Sequence, residues 1–343
     1  MKKLLFITPK YYFGGAELQM RFLVKEGIKL GKNITVLDIE TSEEIKDKGL
    51  NIIQLKKEFL YMETNKYLRI IKRLRRYWEI GKIIKKEDFD FVIFFNLNLL
   101  PLVFFTKAKF IYSVREFNPI IFKTFMKIFL KKLYLITTNN IPSYIFLKKN
   151  YRNVYLQNNV VESERKEKKK LTEIKRSYLI ISNISKRKNL ESAIKAFKEL
   201  KDYGYKLRIA GKIVDENYYY KLKKEIIGYE NIEFLGYLNQ ENLYKEYKAA
   251  EGVIHLSKME GTPNAILDAI KFNKKFICLE TPENIALFSE VPVFLIANEK
   301  KLKNKLLEFD HQDCHQELEY LNFKIKLLFS KKNIQLFYKK IES

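Results

Sequence analysis

Cysteine is nearly absent from this chain: two residues in 343, Cys278 and Cys314. Neither lies in a CxxC or Cys/His zinc pattern, and two cysteines make no disulfide framework. The three histidines, His255, His311 and His315, are too few and too scattered for a typical metal site. Long apolar runs are missing as well. No stretch approaches the roughly 20 uncharged apolar residues of a spanning helix. The longest, around residues 91–105 and 120–135, are broken by Asn or Lys. The opening MKKLLFITPK has only the short run Leu4–Ile7 before Thr8 and Pro9. A signal peptide needs more, so a buried first strand fits better and a cytoplasmic protein is expected.

Acidic residues are also scarce. Asp and Glu number 41 against 65 Lys and Arg, a formal net charge of +24. Such an excess suggests a polyanionic partner: nucleic acid, an anionic membrane or phosphorylated small molecules. The charge is uneven. Residues 51–150 hold 20 basic and 7 acidic side chains, whereas residues 201–300 hold 14 and 15. Within 101–150, Glu116 is the only acid. A composition rich in Lys, Ile, Asn, Phe and Tyr, of the kind an A·T-rich genome encodes, explains the sign of the charge but not its asymmetry. Apolar residues make up 47%, enough for a sizeable core.

Apolar runs and helical periods alternate along the chain. Lys3–Thr8 reads as a strand, Ala16 to about Leu30 as a helix ended by Gly31, and Ile34–Ile39 as a second strand. Phe91–Phe95, Phe110–Val114 and Tyr134–Thr138 continue the series. Residues 162–176 are a charge run. Beyond it, Tyr178–Ser182, Leu207–Ala210, Ile232–Leu235, Gly252–Leu256 and Phe276–Leu279 read as strands, with helices between them. The pattern predicts an α/β fold with two Rossmann-like domains on parallel sheets. Their expected bounds are 1–163 and 178–321, joined by a charged linker over 164–177. An amphipathic segment over 322–343 is expected to cross back to the first domain.

The chemistry concentrates in Gly252–Ala269, GVIHLSKMEGTPNAILDA. A strand ends near Ser257, a Glu-Gly-Thr-Pro-Asn loop follows, and a helix starts near Asn264. Ligands of open parallel sheets bind at the carboxyl ends of strands. A helix N-terminus there offers free N–H groups to a diphosphate. Glu260 is placed to accept hydrogen bonds from sugar hydroxyls, and Asp268 lies within the helix. His255, in an apolar strand, reads as a packed histidine.

This segment resembles the retaining GT-B glycosyltransferases of the group 1 family, GT4. That family carries a Glu, seven residues, then Glu-Ala; here Ser257-Lys-Met-Glu260-Gly261 is followed by Asp268-Ala269, with Asp in place of the second Glu. Further matches are Lys206–Gly211, Asn231–Leu238 with the following Leu243 to Ala250, and Ser185-Lys-Arg-Lys188-Asn189-Leu. Gly14-Gly15-Ala16-Glu17 and Asn158-Asn159-Val160 complete the likeness, which spans roughly residues 3–290. Three departures stand out. Asn183 occupies a position that is often Arg, Val114-Arg115-Glu116 a place that often holds His, and Asn273 the glycine before the strand Phe276–Leu279.

The resemblance implies two domains facing across a cleft, the N-terminal one taking the acceptor. It implies transfer of a sugar from a UDP- or GDP-sugar with retention of configuration, to a glycan or lipid-linked glycan of a bacterial surface polysaccharide. Lys188 and Arg187 would stabilise charge on the leaving β-phosphate, Glu260 the donor sugar and Asp268 the ribose. Gly14, Gly15, Asn183, Gly261, Thr262, Pro263, Asn264 and Ala265 would line the donor, and Arg115 and Glu116 the acceptor side. No DxD-like pair demands a metal, and no cofactor is expected. The rival readings are a degenerate GT-B protein that binds sugar nucleotide without catalysis and a GT-B sugar-nucleotide epimerase. A nucleic-acid-binding protein, suggested by charge alone, has no zinc-finger, RNP or helix-turn-helix signature behind it.

Two basic segments, Tyr67–Trp78 and Phe122–Tyr134, mix aromatics with lysine or arginine, and the first spaces its apolar side chains at helical intervals. Such helices favour the interface of an anionic membrane, here the inner face of the cytoplasmic membrane. The alternative is that their apolar faces pack under the sheet and only the cations are exposed.

Overall fold

The computed structural model describes residues 1–343 except 10, 12–14, 41–48, 56–65, 116–121, 123–126 and 162–172, with the backbone alone for 66–69. Gly14, Glu116 and most of the charge run at 162–176 therefore lie outside the described residues, as does part of the basic segment Phe122–Tyr134.

The chain divides into two units. One comprises Met1–Val160 together with Lys331–Ser343, the other Val161–Ser330. Each is built on one parallel sheet, as the alternating pattern predicts.

Among the described residues the first unit has seven strands: β1 (Lys3–Thr8), β2 (Asn33–Asp38), β3 (Asn51–Gln54), β4 (Phe91–Phe94), β5 (Lys109–Val114), β6 (Leu135–Thr138) and β7 (Val154–Leu156). Their order is β3-β2-β1-β4-β5-β6-β7, parallel throughout. Successive residues of a strand face opposite sides, and both sides are covered. Leu5 and Ile7 share a core with Tyr77, Ile80 and Ile84 of the helix Lys66–Glu87. Leu4 and Phe6 share another with Met20, Leu23 and Val24 of the helix Gly15–Lys29. Burial on two faces is why these strands read as unbroken apolar runs.

The segment expected over 322–343 proves to be parts of two helices. His315–Leu328 stays with the second unit, and only Lys332–Glu342 packs on the first. Its Ile334, Phe337, Tyr338 and Ile341 enter the core beside Met20 and Val24. The Tyr338 hydroxyl donates to the Leu23 carbonyl at 2.8 Å. It sits where a Cβ on Gly27 would be, 2.3 Å from the hydroxyl oxygen.

The second unit holds β8 (Ile174–Ile181), β9 (Lys206–Ala210), β10 (Ile232–Gly236), β11 (Ala250–His255), β12 (Lys275–Leu279) and β13 (Leu295–Ile296). Their order is β10-β9-β8-β11-β12-β13, again parallel. β8 starts at Ile174, within the stretch expected to be linker. Arg176 takes a positive φ of 57°, and its N–H donates to Glu251 at 2.5 Å. The polar residues there extend β8 along the start of β11, with Ile174 opposite Ala250.

Asn273, in the place of the family's glycine, has a φ of 52°. That is the left-handed region, which asparagine tolerates better than other side chains. The Asn273 side-chain oxygen accepts from Asn322 at 2.8 Å.

In each sheet the order reverses beside the unit's first strand: between β1 and β4, and between β8 and β11. Connections leave such a pair toward opposite faces, which opens a crevice at the strands' carboxyl ends. Among the described residues no helix is long and apolar enough to cross a membrane.

Candidate active site

Lys188 reaches the second unit's crevice from β8. Beyond Ile181 the chain stays tied to its neighbour: Ser182 N–H donates to the Ala210 carbonyl at 3.0 Å and Ile184 N–H to that of Lys212 at 2.7 Å. The backbones come so close that a Cβ on Gly211 would lie 1.8 Å from the Ser182 carbonyl oxygen. One 3-10 turn, Lys186–Lys188, then leads into the helix Leu190–Glu199. Asn189 makes the junction in the left-handed region, φ 54°, and its side-chain oxygen accepts from the Ser192 hydroxyl at 2.7 Å. The Tyr218 hydroxyl accepts from Leu190 N–H at 3.1 Å and donates to Glu191.

Glu260 arrives from β11, the strand on the other side of the reversal. Ser257 is buried, and its hydroxyl donates to the Met259 carbonyl at 3.2 Å. The Arg187 guanidinium donates to the same carbonyl at 3.5 Å, which ties the two loops together. Lys188 and Glu260, 72 residues apart, form an ion pair between these loops. Both side chains are only partly exposed.

Gly261, Thr262 and Pro263 are buried and lead into the helix Asn264–Lys271, whose first turn no side chain caps. Asn264, Ala265 and Asp268 are half-buried on it. Tyr247 underpins this helix, its hydroxyl donating to the Ala265 carbonyl at 3.1 Å. Asn183 is exposed on the path from β8 to Lys188.

His255 ends β11, buried, with Nε2 3.9 Å from Glu260 Oε1 and no hydrogen-bond partner. Burial, the largest influence, lowers its pKa from the ordinary 6.5 to about 4. Burial pushes the Glu260 carboxyl up, but the His255 and Lys188 charges more than offset it and hold it below its ordinary range. Because His255 is neutral at pH 7, Lys188 is the partner that acts there. The site therefore holds an ionised carboxylate and an ammonium beside a neutral imidazole.

This assignment sets a pH dependence. Between pH 6.5 and about 4 the unfolded chain protonates His255 and the folded one does not, so stability falls with falling pH. The loss from this group approaches about 3 kcal/mol near pH 4. Glu260, with its pKa depressed on folding, loses its own contribution only as pH falls below the ordinary carboxylate value, so it adds at the acidic end. Urea midpoints across this range should drop steeply for the native chain, and a His255→Gln variant should show a visibly flatter dependence. Equal slopes for the two proteins would refute the assignment.

In the first unit, Gly15 opens the helix that follows β1, and Arg115 follows β5. The Arg115 Nη1 donates to Asn159 Oδ1 at 2.6 Å. Sequence reading did not connect these two residues, nor did it connect His255 with Glu260.

Residues 161–290 match the family Glycosyl transferases group 1. No curated protein sequence matches the chain. Among solved structures, a glycosyltransferase from Rickettsia africae is 17% identical, with a TM-score of 0.75, covering 99% of this chain and 97% of its own. A Staphylococcus aureus TarM mutant, solved with fondaparinux, α-GlcNAc-glycerol and UDP, is 13% identical with a TM-score of 0.81 over the whole of both chains. WaaG, a glycosyltransferase of lipopolysaccharide biosynthesis, is 14% identical with a TM-score of 0.72, covering 93% of this chain and 94% of its own. At such identities these likenesses establish the fold, which is the α/β class of the GT-B glycosyltransferases. With the family match over the second unit, they mark the chain as a glycosyltransferase.

Proposed function

We propose that the protein transfers a sugar, with retention of configuration, from a nucleoside diphosphate sugar to a glycan or lipid-linked glycan in bacterial surface polysaccharide synthesis. One observation carries this reading: Lys188 and Glu260 meet at the carboxyl ends of β8 and β11, the two strands that flank the sheet's reversal. As the sugar leaves, negative charge grows on the β-phosphate. Lys188 and Arg187 face that charge electrostatically, helped by the positive end of the helix Asn264–Lys271. These groups do the work of a metal ion. Glu260 then takes hydroxyls of the donor sugar, and Asp268 the ribose.

The likeness to TarM, solved with UDP, and to WaaG supports a nucleotide-sugar donor and a surface-glycan acceptor. Incubation with UDP- and GDP-sugars and acceptor extracts should give a product of retained anomeric configuration, lost in Glu260→Ala. Nucleotide binding without turnover of any donor would favour the non-catalytic reading instead.

The acceptor is placed at an anionic membrane, with the helix Lys66–Glu87 as the contact. Tyr77, Ile80 and Ile84 pack under the sheet, so one apolar face is accounted for. Ile70, Ile71, Leu74 and Trp78 form a second face and are 50–60% exposed. Arg75, Lys82 and Lys86 flank it, with the Lys82 ammonium 3.2 Å from the centre of the Trp78 ring. The same helix borders a cavity of about 120 Å³ near the carboxyl ends of β1, β2 and β4, lined by Lys72, Arg73, Asn96 and Arg76, the last paired with Glu40 at 3.5 Å in the same cavity. That site suits the phosphate of a lipid-linked acceptor. Vesicles containing anionic lipid should sediment the protein and neutral ones should not, and a Leu74→Glu/Trp78→Glu double variant should lose most of the binding. Equal binding to both vesicle types would count against the contact.

A further inference from the structure

The first unit carries a half-buried cation that the donor chemistry does not use. Arg115 follows β5, Asn139 and Asn140 follow β6, and Asn159 follows β7, so three adjacent strands deliver these groups to one edge of the sheet. Side-chain hydrogen bonds link them. The Asn140 amide donates to Asn139 Oδ1 at 3.3 Å and Asn139 to Asn159 Oδ1 at 3.5 Å. Arg115 Nη1 donates to that same oxygen at 2.6 Å. Asn140 Oδ1 is fixed in turn by capping the helix Ile141–Asn150, accepting from Ser143 N–H at 2.9 Å. The chain of amides holds the guanidinium by its Nη1 end.

The rest of the guanidinium is held but not paired. Phe95 lies under it, ring centre 4.4 Å from Cζ. Nε is buried and has no hydrogen-bond partner. Glu17 acts on Arg115 only through space. Burial lowers the pKa of Arg115 to about 9, only partly opposed by Glu17, and burial likewise raises that of Glu17. A buried donor left without a partner is a costly arrangement. The edge left over, Nε with Nη2, is the fork that matches a carboxylate or phosphate in bidentate fashion.

We infer that Arg115, oriented by Asn159 and Phe95, binds an oxyanion of the acceptor, so that the acceptor carries a carboxylate or phosphate at this point. The inference rests on the glycosyl-transfer reading for calling the ligand an acceptor, but the anion site stands or falls separately. Nε is now covered, so the side chain turns slightly outward as the anion enters.

The test uses the full chain with nitrogen-15 in its arginines, and follows the Nε–H resonance that an Arg115→Lys variant lacks. Inorganic phosphate, glycerol phosphate, glucuronate and neutral glucose are added separately. Phosphate compounds or glucuronate, whichever source is right, should shift that resonance saturably, and glucose should not. Arg115→Gln should weaken the same binding by about tenfold or more, while UDP binding is unchanged. No shift with any anion overturns the proposal. So does phosphate binding that survives Arg115→Gln and disappears in Lys188→Ala, which would put the anion at the donor site instead. Loss of UDP binding in Lys188→Ala, whatever Arg115 does, bears on the glycosyl-transfer reading alone.

Discussion

Replacing Lys188 by alanine should lower kcat by about 10²–10³-fold with a suitable donor, the usual effect of removing one preorganised group from a developing oxyanion. In the structure the Lys188 ammonium already rests on Glu260, so its position is set before any ligand arrives. Its loop is fixed by Asn189 and Tyr218 on one side and by the Arg187–Met259 contact on the other. Little reorganisation then remains for the chemical step. Alanine removes the cation and leaves Glu260 partly buried without it, so some loss of stability should accompany the loss of rate. Lys188→Arg separates the two effects: it restores a partner for Glu260 but places a wider, planar cation near the phosphate. Near-native stability with depressed kcat is expected for that variant. Single-turnover rates alongside UDP affinity provide the measurement. Full activity in Lys188→Ala would remove the residue from the mechanism.

Gly211→Ala should be the most damaging single methyl group in the second unit. The added Cβ would lie 1.8 Å from the Ser182 carbonyl oxygen and 3.3 Å from the Asn183 nitrogen. Both are backbone atoms, so no side chain can swing aside. The cost lies at or above the upper end of ordinary overpacking, about 3 kcal/mol. Ser182 and Gly211 also anchor the two loops through paired backbone hydrogen bonds, to Ala210 and to Gly236. Spreading them would displace the path to Lys188. Urea unfolding should therefore show a lowered midpoint, and whatever folded protein remains should bind UDP more weakly. A midpoint within about 0.5 kcal/mol of native would show that the strands separate easily there.

The sequence made the long central strands plain because both their faces are buried. Leu4–Ile7 and Phe91–Phe94 are apolar at every position, and a continuous run is easy to see. Asn51–Gln54, Val154–Leu156 and Leu295–Ile296 were not foreseen. They are two to four residues long and lie at the outer edges of the sheets, where few apolar neighbours shape their composition. The start of β8 was hidden for the opposite reason: Lys175 and Arg176 look like solvated linker, yet they extend a strand. The motif around Glu260 could be read because its residues are close in sequence. The meeting of Lys188 with Glu260, or of Arg115 with Asn159, depends on which strands become neighbours. The order β8-β11 skips two strands, and no local pattern states that.

The helix Lys332–Glu342 has one more consequence, for the order in which the protein is made. Domains commonly fold in turn as the chain emerges, the first one first. Here the first unit lacks part of its core until Ile341 has been synthesised. Ile334, Phe337, Tyr338 and Ile341 each contribute about 1.5–3 kcal/mol when fully buried, so residues 1–160 alone would present a wide apolar groove beside Gly27. The second unit, Val161–Ser330, is continuous and complete before that helix exists. On the ribosome the later-encoded half is thus the one able to finish first, while the earlier half waits for the helix Lys332–Glu342 to close it.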